Sequence, residues 1–129
     1  MVNGITIAGR RIGHDHPCFV IAEAGVNHNG ELDLAMRLVE AAAKAGAAAV
    51  KFQTFSADRI ATADAPKAAY QINATGGAES QRDMLRRLEL SSDAHRELMA
   101  QCRRHGIQFL STPFDEESAD LLETLGMPA

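Results

Sequence analysis

Residues 18–55 read Cys18-Phe19-Val20-Ile21-Ala22-Glu23-Ala24-Gly25, then the polar loop Asn27-His28-Asn29-Gly30, a run from Leu32 to Ala45, and finally Ala48-Ala49-Val50-Lys51-Phe52-Gln53-Thr54-Phe55. The first and last segments are nearly continuous apolar runs. Such runs fit strands covered on both faces, as in a parallel sheet. Between them Leu34, Leu38, Ala41 and Ala42 recur on one helical face, and Gly46 supplies a C-terminal stop. Strand, helix and strand in that order predict a right-handed parallel crossover.

The same pattern continues outward. Ile107-Gln108-Phe109-Leu110-Ser111-Thr112-Pro113-Phe114 predicts a third strand, and Asp115 to Leu125 the helix after it, acidic in its first turn as the helix dipole favours. Helical patterns cover roughly Glu79 to Arg87 and Ser92 to Arg104, the second opened by Ser91-Ser92-Asp93. The stretch from Ser56 to Ala78 shows no clear period and reads as a long loop, a kind that is usually functional or mobile. Upstream, Ile5 to Gly13 alternates around Ala8-Gly9-Arg10, a hairpin signal. The expected division is an N-terminal hairpin and lead-in over residues 1–16, followed by one α/β unit over 17–129.

The chain has 129 residues and a formal charge of −4. Its 46% hydrophobic and 23% charged content is that of an ordinary globular domain and argues against disorder. The mild acidity offers nucleic acid no basic face. No apolar run reaches the ~20 residues of a membrane span, and the N-terminus lacks a signal-peptide core, so the expected setting is the cytoplasm. There Cys18 and Cys102 would be reduced thiols.

Side chains two apart on a strand share a face, so Glu23 falls on one side of the first strand, and Lys51 and Gln53 on one side of the second. A carboxylate and an ammonium thus interrupt apolar strands near their C-terminal ends, where parallel α/β folds bind ligands. Two readings stand at this point: a structural Glu23–Lys51 ion pair, or Lys51 meeting an anionic substrate while Glu23 handles a proton. His28 sits in a loop that would face such a ligand. His14-Asp15-His16 lacks the third and fourth ligands of a metal site. His95 and His105 fall on or at the end of a helix. No glycine-rich phosphate loop and no nucleophile elbow is present.

Ile21-Ala22-Glu23-Ala24-Gly25-Val26-Asn27-His28-Asn29-Gly30 resembles the first-strand motif of the sialic acid synthase family. Val50 to Thr54 resembles its second-strand motif, and Phe109 to Asp115 its third. Lys67-Ala68-Ala69-Tyr70-Gln71, together with Glu79-Ser80-Gln81 through Leu88-Glu89-Leu90-Ser91, looks like the branch making N-acetylneuraminate or legionaminate.

The resemblance implies a (β/α)8 TIM barrel that condenses phosphoenolpyruvate with an N-acylated mannosamine-type sugar, giving a nine-carbon 2-keto acid and phosphate. It implies a divalent metal, Mn²⁺ or Mg²⁺, and a homodimer in which a C-terminal antifreeze-like domain reaches the partner's site. Carried over residue by residue, Glu23 would be the catalytic acid/base. Lys51 and Thr112 would bind phosphoenolpyruvate, Gln53 would hydrogen-bond the sugar, and Asn27 and His28 would shape the site. Tyr70 and Gln71, in a loop covering the sugar, would be further contacts. The family's metal-binding histidines lie in later strands, so no metal ligand is expected here.

A full barrel takes ~250 residues. The expectation is therefore an incomplete barrel, its first three βα units preceded by a hairpin, with two open strand edges and a charged inner face. Alone, the 129 residues would be inactive. Competing readings are a legionaminate synthase, another phosphoenolpyruvate-dependent keto-sugar-acid synthase, a Schiff-base aldolase using Lys51, and a non-catalytic half-barrel that only binds a ligand or partner.

Overall fold

The structure, a computed structural model, describes residues 4–129. Two short strands open it, β1 (Ile5–Ile7) and β2 (Arg10–Ile12), paired antiparallel with Ile5 opposite Ile12. Their connection, Ala8-Gly9, has positive φ at both residues, 48° and 79°. That is the geometry whose twist suits a two-residue hairpin. Arg10 fastens the hairpin to residues 18 and 19, donating to the Cys18 carbonyl at 3.1 Å and lying over the Phe19 ring.

The apolar runs form a three-stranded parallel sheet in the order β3 (Ile21–Gly25), β4 (Ala49–Thr54), β5 (Gln108–Pro113). The chain is α/β, as expected. Helices α1 (Leu32–Lys44), α5 (Ser92–His105) and α6 (Glu116–Thr124) cover one face of the sheet. Ala35, Val39 and Ala42 of α1, Leu98 and Cys102 of α5, and Leu122 of α6 meet Val50, Phe52 and Phe109 of the strands in one core. Phe52, Leu98, Leu122, Val39 and Val50 are fully buried. Burying a side chain of this kind contributes about 1.5–3 kcal/mol.

Residues 56–80 depart from the expected loop. They carry α2 (Ala57–Ile60) and α3 (Ala69–Thr75), and α4 (Gln81–Arg86) comes next. Helices of four and seven residues are too short to print a period, and side-chain hydrogen bonds rather than an apolar stripe define them. Gln71 Oε1 accepts from the Ala68 N–H at 2.8 Å at the start of α3, and Glu89 Oε1 accepts from Ala57 N at 2.6 Å at the start of α2. The acidic first turn of α6 behaves as the sequence suggests. Asp115 caps it, accepting from Ser118 N and Ser118 Oγ, and also binds Arg59 Nε and Ser56 N. Burial works against that carboxylate's ionisation, yet these four donors hold its pKa down at about 2.

Two histidines lie fully inside. His95 donates from Nδ1 to the Ser91 carbonyl at 2.8 Å, which leaves Nε2 to accept from the Thr54 hydroxyl at 2.8 Å. Thr54 Oγ in turn accepts from Ser111 Oγ at 2.6 Å. His28 Nδ1 accepts from Gly30 N at 2.9 Å, so its Nε2 carries the proton, buried and without a protein partner. Both rings pack on the stacked Phe52–Phe109 pair. Burial lowers both pKa values; His95 adds to the effect on His28, and the Ser91 carbonyl partly opposes it on His95.

This packing can be tested at a glycine and at the histidines. Gly30 has φ +81°, and a Cβ there would collide with the Arg87 carbonyl, whereas Gly46, with the same φ, has open space around it. Gly30→Ala should cost at least about 2 kcal/mol, lowering Tm by ~5 °C or more, against about 1 kcal/mol for Gly46→Ala. Equal melting shifts for the two variants would contradict the assigned contact. The histidines set a pH dependence. Unfolded histidine protonates below about pH 6.5, while the folded chain holds these two neutral. Stability is therefore full above that pH and is lost as pH falls below it. Thermal melts from pH 8 to pH 5 should show a falling Tm below about 6.5, and a flat profile would refute neutral burial.

Candidate functional site

The register of the sheet places the polar strand residues in two rows on the face away from the helices. Glu23 pairs with Lys51 and Lys51 with Leu110, and one step further along Gln53 pairs with Thr112. Strand pairs in register present their side chains on the same side. The alternation expected for β4 is therefore observed: Val50, Phe52 and Thr54 face the helices, Lys51 and Gln53 the opposite side.

Lys51 Nζ lies 3.1 Å from Glu23 Oε2. The ion pair of the first reading is thus formed, but both side chains remain in contact with solvent, at 36% and 55% exposure. A pair so placed contributes about 0–1 kcal/mol. It does not hold the fold together, and separating the two groups costs little.

Beyond Glu23 the β3–β4 pairing shifts register, so that Gly25 stands opposite Phe52. Bulges of this kind re-aim the chain at functional edges. A Cβ on Gly25 would sit 3.5 Å from Glu23 Oε1 and 3.6 Å from Gln53 Nε2. The missing side chain leaves room directly between these two groups. One residue on, Val26 and Asn27 begin the lining of an open cavity of roughly 580 Å³, which Tyr70, Gln71, Thr75, Met84, Arg87 and Leu88 also line. Tyr70 is exposed there. Asn27 shares one concavity with Tyr70 and Gln71, which are neighbours in sequence but far from it.

Two residues of the resembled motifs turn away from this face. His28 points into the core rather than toward the open face. Its Nδ1 ties down the loop from the core side through Gly30 N. Lys67, the first residue of the expected covering loop, is turned inward: its side chain is 1% exposed and pairs with Glu79 Oε1 at 2.8 Å. What sequence reading missed is the buried Ser111–Thr54–His95 chain behind the strand ends. A signal was present, since His95, Leu98 and Cys102 fall at the i, i+3, i+7 spacing of an apolar helix face.

Among the described residues no three His, Cys, Asp or Glu side chains lie together to hold a metal ion, and Glu23 is already taken up by Lys51. The residues present do not fit a divalent ion on their own. His14 and Asp15 contact each other at 3.1 Å on the open surface. Cys102 is no nucleophile, because burial pushes its thiol up to about 12. Cys18 is exposed, and neither cysteine is in a disulfide. No described helix is long and apolar enough to cross a membrane.

The chain is 53% identical over 108 residues to the N,N'-diacetyllegionaminic acid synthase of Campylobacter jejuni, a match covering 84% of this chain and 32% of that protein. It is 48% identical over 126 residues to the Legionella pneumophila protein of the same name, covering 98% of this chain and 34% of the relative. The chain thus spans about a third of the length of the curated relatives it matches. Among solved structures, the N-acetylneuraminic acid (sialic acid) synthetase of Leptospira borgpetersenii superposes with a TM-score of 0.77 at 30% identity, covering 97% of this chain and 39% of that one. Residues 38–129, containing β4, β5 and the whole excursion between them, match the NeuB family. With those residues matched and the motifs of all three parallel strands present, the chain belongs to the NeuB family, that of the sialic acid synthases.

Proposed function

We propose that this chain is the N-terminal part, the first three βα units, of a (β/α)8 barrel that joins phosphoenolpyruvate to an N-acylated mannosamine-type sugar. The products are a nine-carbon 2-keto acid and phosphate. The observation that carries the reading is the polar set Glu23, Lys51, Gln53 and Thr112 on one sheet face at the strand ends, beside the cavity that begins at Val26.

In this reading Lys51 and the Thr112 hydroxyl hold the phosphate and carboxylate of phosphoenolpyruvate, a fixed cation offsetting their charge. Gln53 hydrogen-bonds the sugar. Asn27, Tyr70 and Gln71 line its pocket, and His28 keeps the loop in place from the core. Carbon 3 of the enolpyruvate forms the new C–C bond to the sugar's aldehyde carbon. The aldehyde oxygen gains a proton, water adds at carbon 2, and the carbon 2–oxygen bond breaks to release phosphate. Glu23 moves a proton in this reading, to the sugar oxygen or from the water. Mn²⁺ or Mg²⁺ belongs, on this reading, to residues beyond those described. So do a homodimeric assembly and the antifreeze-like domain. The setting is cytoplasmic.

One observation favours a narrower version. The two relatives at 53% and 48% identity carry the name N,N'-diacetyllegionaminic acid synthase, which points to a 2,4-diacetamido sugar as acceptor rather than N-acetylmannosamine.

The test is phosphate release from phosphoenolpyruvate by the protein carrying this segment, with each acceptor in turn, with and without Mn²⁺. Release with the diacetamido sugar alone selects the narrower reading. Release with neither sugar overturns the synthase and leaves a non-catalytic binding module. The 129-residue chain, run alongside, is expected to release none. In the active protein Lys51→Met should lower kcat/KM for phosphoenolpyruvate by ~10²–10³-fold. Glu23→Gln should lower kcat by ~10²–10⁴-fold with little change in KM. Because the pair is exposed, neither variant should move Tm appreciably. A large loss of stability with unchanged kinetics would return the pair to a structural role.

A further inference from the structure

Helix α3 is an unusual wall for a binding pocket. It has seven residues, none of them buried, yet it supplies Tyr70, Gln71, Ala74 and Thr75 to the cavity. A helix that short is not stable by itself in water. Apolar packing cannot be what holds it, because it has none of consequence.

Lys67 does. Its ammonium uses all three N–H donors, on Thr75 Oγ at 2.8 Å, on the Gly76 carbonyl at 3.0 Å and on Glu79 Oε1 at 2.8 Å. Lys67 stands two residues before α3, while Thr75 and Gly76 end it. One side chain therefore ties the start of the helix to its finish. Glu79 Oε1 also accepts from Arg87 at 2.5 Å, so the same carboxylate joins α3 to the chain just after α4. Arg87 lines the cavity as well, and its carbonyl abuts Gly30 in the loop carrying Asn27. The lysine is thus linked to three walls of the pocket, although it does not line it.

We propose that Lys67 is a positioning residue for the acceptor sugar: its buried ammonium, shared with Glu79, fixes α3 so that Tyr70, Gln71 and Thr75 stand with Arg87 around the cavity. This rests on the reading of that cavity as the acceptor pocket. Phosphoenolpyruvate, held at Lys51 and Thr112 on the sheet face, lies outside the wall that Lys67 controls. Losing the clasp should therefore weaken one substrate and spare the other. Without Lys67, Glu79 keeps Arg87 as a partner and some access to solvent, so the effect should stay around α3.

The experiment compares wild type, Lys67→Met and Glu79→Gln in the intact protein. Glu79→Gln keeps the hydrogen-bonding shape and removes the charge, so it tests the clasp even where Lys67→Met folds poorly. Hydrogen exchange should speed up by about tenfold or more at residues 71–76, with the three parallel strands unchanged. KM for the acceptor should rise by about tenfold in Lys67→Met and less in Glu79→Gln, with KM for phosphoenolpyruvate within about twofold of wild type. Unchanged exchange in α3, an unchanged acceptor KM, or equal increases in both KM values would overturn the assignment. A wild-type protein releasing no phosphate with either sugar overturns the underlying reading instead. Exchange tells the two failures apart, since it reports on α3 whether or not the protein turns over.

Discussion

The central strand β4 is paired in parallel on both sides, and its two faces meet opposite demands. Val50 and Phe52 are buried against helices, while Lys51 and Gln53 alternate with them in sequence and must stay clear of that core. A slip of one residue would drive the ammonium of Lys51 into the apolar layer and put Phe52 on the polar face. Register is therefore enforced by the hydrophobic effect and by the cost of burying a charge, acting together. The site inherits this precision. Glu23 meets Lys51, and Gln53 meets Thr112, because Val50 and Phe52 can settle only one way.

Behind the strand ends, hydrogen bonds complete what apolar packing begins. The Ser111–Thr54–His95 chain runs from β5 through β4 into α5 and ends on the Ser91 carbonyl at that helix's N-cap. Each hydroxyl has one orientation available, since a carbonyl only accepts and so fixes the tautomer of His95. A fully satisfied buried network favours one arrangement over near alternatives, because any other leaves a donor unpaired. Asp115 plays the matching part just beyond the same end of β5, joining α6 to Ser56 and Arg59 beyond β4.

How far this was legible depended on the length of each signal. The parallel strands and the helices α1, α5 and α6 were readable because fully buried apolar runs and long amphipathic stripes each repeat their evidence. The faces of Glu23, Lys51 and Gln53 followed from alternation alone. Helices α2 and α3 left no such trace, being shorter than two and a half turns and held by Gln71, Glu89 and Lys67 rather than by a stripe. Lys67 and Lys51 also show why residue type is a weak guide. Both are lysines paired to glutamates, but one is 36% exposed and the other 1%, and only the fold distinguishes them. His28 belongs with these cases, since a polar loop position gave no hint that its ring turns inward onto Phe52.

The two lysines divide the physical work according to burial. An exposed ion pair is weak because water competes for both ends, and this weakness suits the role proposed for Lys51, in which its carboxylate partner would give way to an anion. A buried pair is costly to assemble and costly to break from one side, which suits Lys67, whose task is to hold a helix that nothing else secures. Exchanging the environments would reverse both properties: a buried Lys51 would keep Glu23 permanently, and an exposed Lys67 would let α3 go. On the proposed reading the sheet face binds and the excursion confines. The local dielectric, set by which strand or helix carries each lysine, decides which of the two it does.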